Sequence, residues 1–282
     1  MPRLTAIAAR TALLLAGAAC APAAPRAAAV PEARPLRVLV LNMHAGTDAA
    51  GRDNLPRIAA LVRESAADLV LLQEVDSAVA RSGRVDQPAA LARLTGFQAR
   101  FGNALAYQGG GYGIATLSRW PVEEAVLARL PVDPPQDRAG GSREPRGVLR
   151  VTVSAPSGRL HVLNTHLDPS GDDRWRRQEA DSVLAVARTL AGDDRPVLVG
   201  GDFNSTPESA VQAGLRGAGL RDLWPGCGTG DGLTYPAAAP VKRIDYLYAL
   251  GGVGVRCVAA EVVRSDASDH LGVLFTLRVG GR

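Results

Sequence analysis

The chain has 282 residues, of which 46% are hydrophobic and 21% charged, a balance typical of a folded globular protein rather than a disordered or fibrous one. The length allows one large domain or two small ones. The formal net charge is +4, and Arg3 and Arg10 near the start contribute two of these charges. The rest of the chain therefore lacks the strongly basic footprint of a nucleic-acid-binding domain.

The amino terminus has the pattern of an export signal. Arg3 and Arg10 precede an apolar run that is too short to span a bilayer stably, which predicts a signal peptide over residues 1–19. Cys20 follows two alanines and resembles the lipidated cysteine of a bacterial lipoprotein, although Gly17 stands where a large aliphatic residue is usual. Plain signal cleavage without lipidation is the alternative.

Residues 20–35 are rich in alanine and proline, and they predict a flexible tether that leads into one folded domain over 36–282. We expect an exported protein that is periplasmic, extracellular or held at a membrane by a lipid anchor on Cys20. Export would permit a disulfide between Cys227 and Cys257. Two isolated buried thiols are the alternative.

The domain begins with a predicted strand, helix and second strand. Leu36–Asn42 and Leu69–Leu72 are short apolar runs typical of buried strands, and apolar residues recur at helical spacing between them. The first strand ends at an asparagine, and the second leads into Gln73 and Glu74. We expect these polar side chains to emerge together at one edge of a sheet.

The remaining pattern combines hairpins with helical crossovers. Further strands are predicted at Tyr112–Ser118, Gly147–Val153, Leu160–Thr165, Pro196–Val199, Arg243–Ala249 and His270–Val279, with a long helix at Asp173–Leu190. The turn APSG joins the second and third of these strands as an antiparallel hairpin. Hairpins and crossovers in one chain predict mixed sheets that are covered by helices.

Polar residues recur where the apolar strands stop. They are Asn42, Gln73, Glu74, Asn164, His166, Asp168, Asp202, Asn204, Asp245, Asp269 and His270. Carboxylate and amide oxygens suit Mg²⁺, Mn²⁺ or Ca²⁺ better than a soft metal. The two histidines titrate near neutral pH and could supply a general base and a cationic stabiliser. Together these groups suit the hydrolysis of phosphate esters.

The segments LNMH, LLQEVD, LNTHLD, GGDFNSTPES, RIDYLYA and SDHLGV, in this order, resemble the endonuclease/exonuclease/phosphatase superfamily. The resemblance extends from Leu36 to Leu277. It implies an α/β (α+β) fold, a DNase I-like four-layer α/β/β/α sandwich with two mixed sheets. It also implies a metal-dependent phosphoesterase site at the ends of the strands.

The same resemblance assigns roles to individual residues. Metal ligation falls to Asn42, Glu74 and Asp269, with Gln73 supporting them, and a contact with a phosphate oxygen is the alternative for Asn42. Catalysis falls to His166, Asp202, Asn204, Asp245 and His270. Arg143, Arg146 and Asn164 are predicted to bind substrate, and for the two arginines a solvated loop charge is the alternative.

The function implied is exported, Mg²⁺-dependent (or Mn²⁺- or Ca²⁺-dependent) hydrolysis of phosphodiester bonds by in-line attack of water. Nucleic acid is slightly favoured as substrate because His166 matches the branches that cleave diesters. A sphingomyelinase or phosphoinositide-type phosphatase is the first alternative, and a catalytically silent binding lipoprotein of the same fold is the second. The partner expected is a phosphate ester, with no obligate protein partner and no membrane contact other than the lipid on Cys20.

Overall fold

The computed structural model describes residues 1–2, 34–137, 143–193, 195–251 and 254–280. Apart from residues 1–2 and 34–35, the predicted signal peptide and tether lie outside these ranges, as does Cys20. At the end of the predicted tether, Arg34 pairs with the buried carboxylate of Asp68. In the described residues, no helix is long and apolar enough to cross a membrane.

The described part of the domain contains twelve strands and five α-helices. In chain order they are β1 (Leu36–Asn42), α1 (Leu55–Glu64), β2 (Leu69–Ser77), α2 (Gln87–Thr95), β3 (Gln98–Tyr107), β4 (Gly110–Ser118), β5 (Val122–Arg129), β6 (Gly147–Ala155), β7 (Gly158–His166), α3 (Asp173–Leu190), β8 (Val197–Asp202), α4 (Ala210–Gly217), β9 (Leu220–Asp222), α5 (Trp224–Cys227), β10 (Asp245–Leu250), β11 (Val255–Val263) and β12 (Gly272–Val279). Single 3₁₀ turns lie at His44–Gly46, Ala80–Ser82 and Ala191–Asp193.

The strands form two six-stranded sheets. The first has the order β11-β12-β1-β2-β4-β3 and the second the order β5-β6-β7-β8-β10-β9. Both sheets are mixed, because the pairs β1/β2 and β7/β8 are parallel and their other pairings are antiparallel. Each parallel pair is joined by a helix, as a parallel connection requires.

Three hydrophobic clusters hold the layers together. One lies between the sheets and contains Val38, Leu71, Val151 and Phe275. A second packs α1 and α2 on the first sheet, and a third packs α3 and α4 on the second. The result is the four-layer α/β/β/α sandwich, so the predicted fold class is confirmed.

The sequence pattern misplaced some elements. β2 continues through Gln73 to Ser77 instead of ending at Leu72, and the last strand begins at Gly272 rather than His270. The strands β3, β5, β9 and β11 and the helices α2, α4 and α5 were not predicted at all. Between α5 and β11, Cys227 and Cys257 form a disulfide, which resolves the two alternatives for these cysteines.

Candidate active site

Three strands of the second sheet bring a row of polar side chains together. His166 at the end of β7 lies opposite Asp202 at the end of β8, and Asp245 of β10 lies opposite the same aspartate. Adjacent strands are about 4.8 Å apart, so this register alone makes the three side chains neighbours. Gly201 precedes the aspartate with φ of +143°, and a Cβ there would lie 1.9 Å from the carbonyl oxygen of Thr165. Only glycine fits this close approach.

The first sheet contributes an acidic side chain from an irregular point in β2. The register of β2 against β4 shifts between Leu72 and Val75, and Glu74 in this bulge has φ of +54°. Nδ2 of Asn42 donates to Oε1 of Glu74 at 3.0 Å and to Oδ2 of Asp202 at 3.1 Å. A single amide therefore connects the acidic groups of the two sheets.

His270 lies in the segment before β12 and faces two carboxylates. Its Nδ1 lies 3.0 Å from Oδ2 of Asp245, and its Nε2 lies 3.7 Å from Oδ2 of Asp202. Burial opposes a charged imidazole, but the charge and hydrogen bond of Asp245 and the charges of Asp202 and Asp269 outweigh it. They raise the pKa of His270 to about 10. Near neutral pH this side chain is an imidazolium, which supplies positive charge rather than a free base.

Asp202 is at the centre of these contacts. Its Oδ1 accepts from the backbone N–H of Asn204 at 2.9 Å, and its Oδ2 also lies 3.5 Å from Nε2 of His166. Burial and the neighbouring charge of Asp245 raise the pKa of Asp202 above its ordinary value, against the opposing effects of His270 and the hydrogen bonds. A carboxylate with a raised pKa is a better proton acceptor than an ordinary aspartate.

His166 has the opposite electrostatic environment. Burial, followed by the positive charges of Arg146 and His270, holds the pKa of His166 well below its usual value. Nη1 of Arg146 lies 2.7 Å from Nδ1 of the ring. The site therefore pairs one neutral histidine with one charged histidine.

These groups line an open cavity of about 640 Å³. The predicted residues in its wall are Glu74, Arg146, His166, Asp202, Asn204, Asp269 and His270. Asp245 is buried behind His270, and Asn42 is buried behind Glu74 and Asp202. Residues from both sheets thus line one cavity, which neither sheet could form alone.

A sequence model of the Endonuclease/Exonuclease/phosphatase family matches residues 39–270. The chain belongs to this family. It is similar to the uncharacterized protein YbhP of Escherichia coli K12, with 31% identity over 222 residues that cover 75% of this chain and 83% of YbhP. Members of the family are generally hydrolases of phosphate esters, and the residues at the cavity have the types that this chemistry requires.

Solved structures share the architecture. The endonuclease/exonuclease/phosphatase from Beutenbergia cavernae has a TM-score of 0.68 at 28% identity, covering 88% of this chain and 72% of that one. A mannosyl-6-phosphatase from Bacteroides thetaiotaomicron has a TM-score of 0.70 at 18% identity, covering 86% and 99% of the two chains. At that identity the second comparison shows the family fold alone.

Two residues predicted to bind substrate lie away from the described cavity wall. Asn164 is fully buried: its Nδ2 donates to backbone oxygens of Leu72 and Ala115, and its Oδ1 accepts from Gln73. These three hydrogen bonds join β7 of the second sheet to β2 and β4 of the first. They leave the Asn164 amide without a hydrogen for a substrate. Arg143 donates its backbone N–H to Asp168 and holds its guanidinium 5.7 Å from the Trp175 ring.

Asn42 turns its amide nitrogen towards the two carboxylates. We predicted a metal ligand, but its amide nitrogen faces the two carboxylates and its Oδ1 accepts from the backbone N–H of His44 at 3.1 Å. Direct ligation would require the amide to turn and lose these bonds. As placed, the side chain orients Glu74 and Asp202.

Sequence reasoning did not identify several residues of the cavity wall. Arg81 forms a bidentate ion pair with Asp76 and lies 4.9 Å from the Tyr112 ring. Lys242, the only lysine of the chain, lies 6.0 Å from the ring of Tyr235. A single lysine in an arginine-rich sequence, directly before the RIDY segment that contains Asp245, could have indicated that Lys242 belongs to the site.

The donor set fits a divalent cation. Glu74, Asp202 and Asp269 place carboxylates on the cavity wall, and hard oxygen donors are what Mg²⁺ and Mn²⁺ prefer. Ligand atoms of Asp202, Asp245 and His270 also lie within 4.8 Å of one another. Ligation by His270 would require a neutral ring, and both its contact with Asp245 and its raised pKa oppose loss of the proton near neutral pH. Glu74 and Asp269 are the better candidates.

Proposed function

We propose that the protein is an exported, divalent-metal-dependent hydrolase that cleaves phosphodiester bonds by in-line attack of water. The observation that carries this proposal is the meeting of Glu74, Asp202, Asp269 and the His270–Asp245 pair at one cavity. Carboxylates for a cation, a proton acceptor and a fixed imidazolium are the groups that such a reaction needs.

Asp202 is the proposed proton acceptor for the attacking water. Its carboxylate is held by the N–H of Asn204 and by Asn42, and its raised pKa favours proton uptake. The imidazolium of His270 would stabilise negative charge that develops on the phosphoryl oxygens, with Asp245 fixing the ring. His166 is neutral and is therefore assigned to hydrogen bonding with the phosphate rather than to protonation of the leaving group.

Glu74 and Asp269 would hold the cation, with Asn42 orienting Glu74. When bound, a divalent ion neutralises phosphate charge and so lowers the electrostatic barrier to an anionic transition state. The protein's own contribution is to bring these two carboxylates, one from each half of the chain, to the wall of the same cavity.

Export is supported by the disulfide between Cys227 and Cys257, because such bonds persist in oxidising compartments and are rare in the cytosol. The leader pattern over residues 1–19 points the same way, with lipidation at Cys20 as a further proposal. Among substrates, nucleic acid remains slightly favoured over sphingomyelin or phosphoinositides on the resemblance carried by His166.

The purified protein should hydrolyse bis(p-nitrophenyl) phosphate with added Mg²⁺ or Mn²⁺ and lose this activity in EDTA and in His270→Ala. His161→Gln is the matched control, because His161 lies on β7 with its ring against Thr152. Activity that survives both EDTA and His270→Ala would refute the mechanism. A screen of plasmid DNA, RNA, sphingomyelin vesicles and inositol phosphates then identifies the substrate class. No hydrolysis of any phosphate ester would instead favour a silent binding protein.

A further inference from the structure

An arginine of the cavity wall is engaged with a histidine of the site. Nη1 of Arg146 lies 2.7 Å from Nδ1 of His166, and both side chains are more than nine-tenths buried. Nη2 of the same guanidinium lies 3.4 Å from Oε1 of Glu144. Arg146 therefore contacts two protein side chains, His166 and Glu144. It is not a solvent-exposed arginine whose guanidinium is free to bind a phosphate.

Strand pairing brings the two residues close together. β6 and β7 form an antiparallel hairpin in which Val148 lies opposite Thr165, and this register puts Gly147, the first residue of β6, opposite His166. Arg146 directly precedes Gly147. The backbone oxygen of Arg146 also accepts from the N–H of Leu130 at 3.0 Å. The guanidinium thus extends from a backbone that is bonded to the residue after β5.

The contact determines which ring nitrogen carries the proton. A guanidinium can only donate hydrogen bonds, so Nδ1 of His166 must accept and the ring proton must lie on Nε2. Nδ2 of Asn204 donates one hydrogen to the backbone oxygen of Leu167 at 2.9 Å, and it lies 3.1 Å from Nε2, for which its second hydrogen competes. The guanidinium at Nδ1 is the nearer donor and carries a charge, so its hydrogen bond is the stronger of the two. Oδ2 of Asp202 lies 3.5 Å from Nε2 as an acceptor on the same side.

We propose that Arg146 is a positioning residue that fixes the Nε2–H tautomer of His166, so that this N–H is presented to the cavity as a hydrogen-bond donor. Its consequence for catalysis rests on the proposed function, because the acceptor would be a phosphate oxygen of the substrate. The tautomer itself does not depend on that function. Arg146 then acts through His166 and does not grip the phosphate directly.

Nitrogen-15 NMR of histidine-labelled protein measures the tautomer. The chain has only four histidines, and the signal that disappears in His166→Gln is that of His166. We expect a pyridine-type Nδ1 and a pyrrole-type Nε2 in the wild type, a preference that Arg146→Met removes. Arg150→Met is the matched control, because Arg150 lies on β6 four residues after Arg146 and pairs with Glu124.

A pyrrole-type Nδ1 at His166 in the wild type would overturn the proposal, as would an unchanged ring in folded Arg146→Met. The wild-type spectrum needs no variant, so a misfolded Arg146→Met does not prevent the test. Arg146→Gln retains a donor at this position and is expected to preserve part of the Nε2–H preference.

A double-mutant cycle tests the catalytic consequence. We expect Arg146→Met to lower kcat on bis(p-nitrophenyl) phosphate by about 10- to 100-fold, the usual cost of losing a group that orients a site residue. In a His166→Gln background the further loss should be below about 3-fold, because the residue being positioned is gone. An equal loss in both backgrounds would indicate direct phosphate contact and overturn the proposal. If no phosphate ester is hydrolysed, the proposed function fails, and the NMR result still decides the tautomer.

Discussion

Nδ1 of His270 lies 3.0 Å from Oδ2 of Asp245, and both side chains are buried. Asp245 begins β10, whereas His270 precedes β12 of the other sheet, so the pair spans the two halves of the sandwich. Burying a charge is costly unless it is paired. The imidazolium is maintained here because the carboxylates around it outweigh its loss of hydration.

Replacing Asp245 by asparagine should remove this support. The pKa of His270 should then fall from about 10, and kcat should drop about 100- to 1000-fold because the developing phosphate charge loses a fixed cation. His270 has a folded pKa above its ordinary 6.5, so its stabilising contribution is complete below pH 6.5 and is lost as the pH rises through about 10.

Urea unfolding between pH 6 and 10.5 measures that contribution. The free energy of unfolding of the wild type should fall across this range more steeply than that of Asp245→Asn. Asp222→Asn is a control that breaks another buried ion pair, with Arg243, and it should leave the His270-linked slope in place. Equal slopes in wild type and Asp245→Asn would contradict the assignment.

Glu74→Gln tests the proposed cation site. The substitution keeps the size of the side chain but removes a charge, so Mn²⁺ affinity measured by calorimetry should fall at least about 10-fold. Glu261→Gln on β11, an exposed glutamate outside the cavity wall, should bind Mn²⁺ like the wild type. Unchanged affinity in Glu74→Gln would place the ion elsewhere, and loss of binding in Asp245→Asn would then identify the Asp202–Asp245–His270 cluster.

Asp202→Asn tests the proton acceptor. An amide cannot take a proton from water, so kcat should fall about 100- to 10,000-fold while the fold is retained. In the wild type, activity should rise with pH with a midpoint above the ordinary 3.8 of aspartate, because burial and Asp245 raise the pKa of Asp202. A midpoint at 3.8, or an Asp202→Asn variant with wild-type kcat, would exclude this role.

The convergence of these polar side chains could be predicted from the sequence, because the ends of the apolar strands can be recognised in it. Apolar runs that stop at Asn42, Glu74, His166 and Asp202 belong to the parallel pairs β1/β2 and β7/β8. Parallel neighbours joined by a helix present the same ends at one edge, so convergence follows from the pattern.

The errors have equally local causes. β3 and β11 are outer strands with many exposed residues, so neither shows a continuous apolar run. Asn164 lies near the end of an apolar strand as Asp202 does, but its side chain points between the sheets. There it forms hydrogen bonds with Gln73 and two backbone oxygens. Sequence position alone cannot distinguish a side chain that points into a cavity from one that points into the interior.

The disulfide supports a prediction that is independent of catalysis. Cys227 and Cys257 are separated by 30 residues and join α5 to β11. A cross-link over a loop of this length restricts the unfolded chain, and its loss should cost about 3 to 4 kcal/mol of unfolding free energy. We expect the Cys227→Ser/Cys257→Ser double variant to unfold at lower urea concentration than the oxidised wild type, with unchanged kcat because neither cysteine lines the described cavity. Dithiothreitol should lower the urea midpoint of the wild type to that of the variant, and it should not change the midpoint of the variant. If the three midpoints coincide, the disulfide contributes nothing to stability and the prediction is wrong.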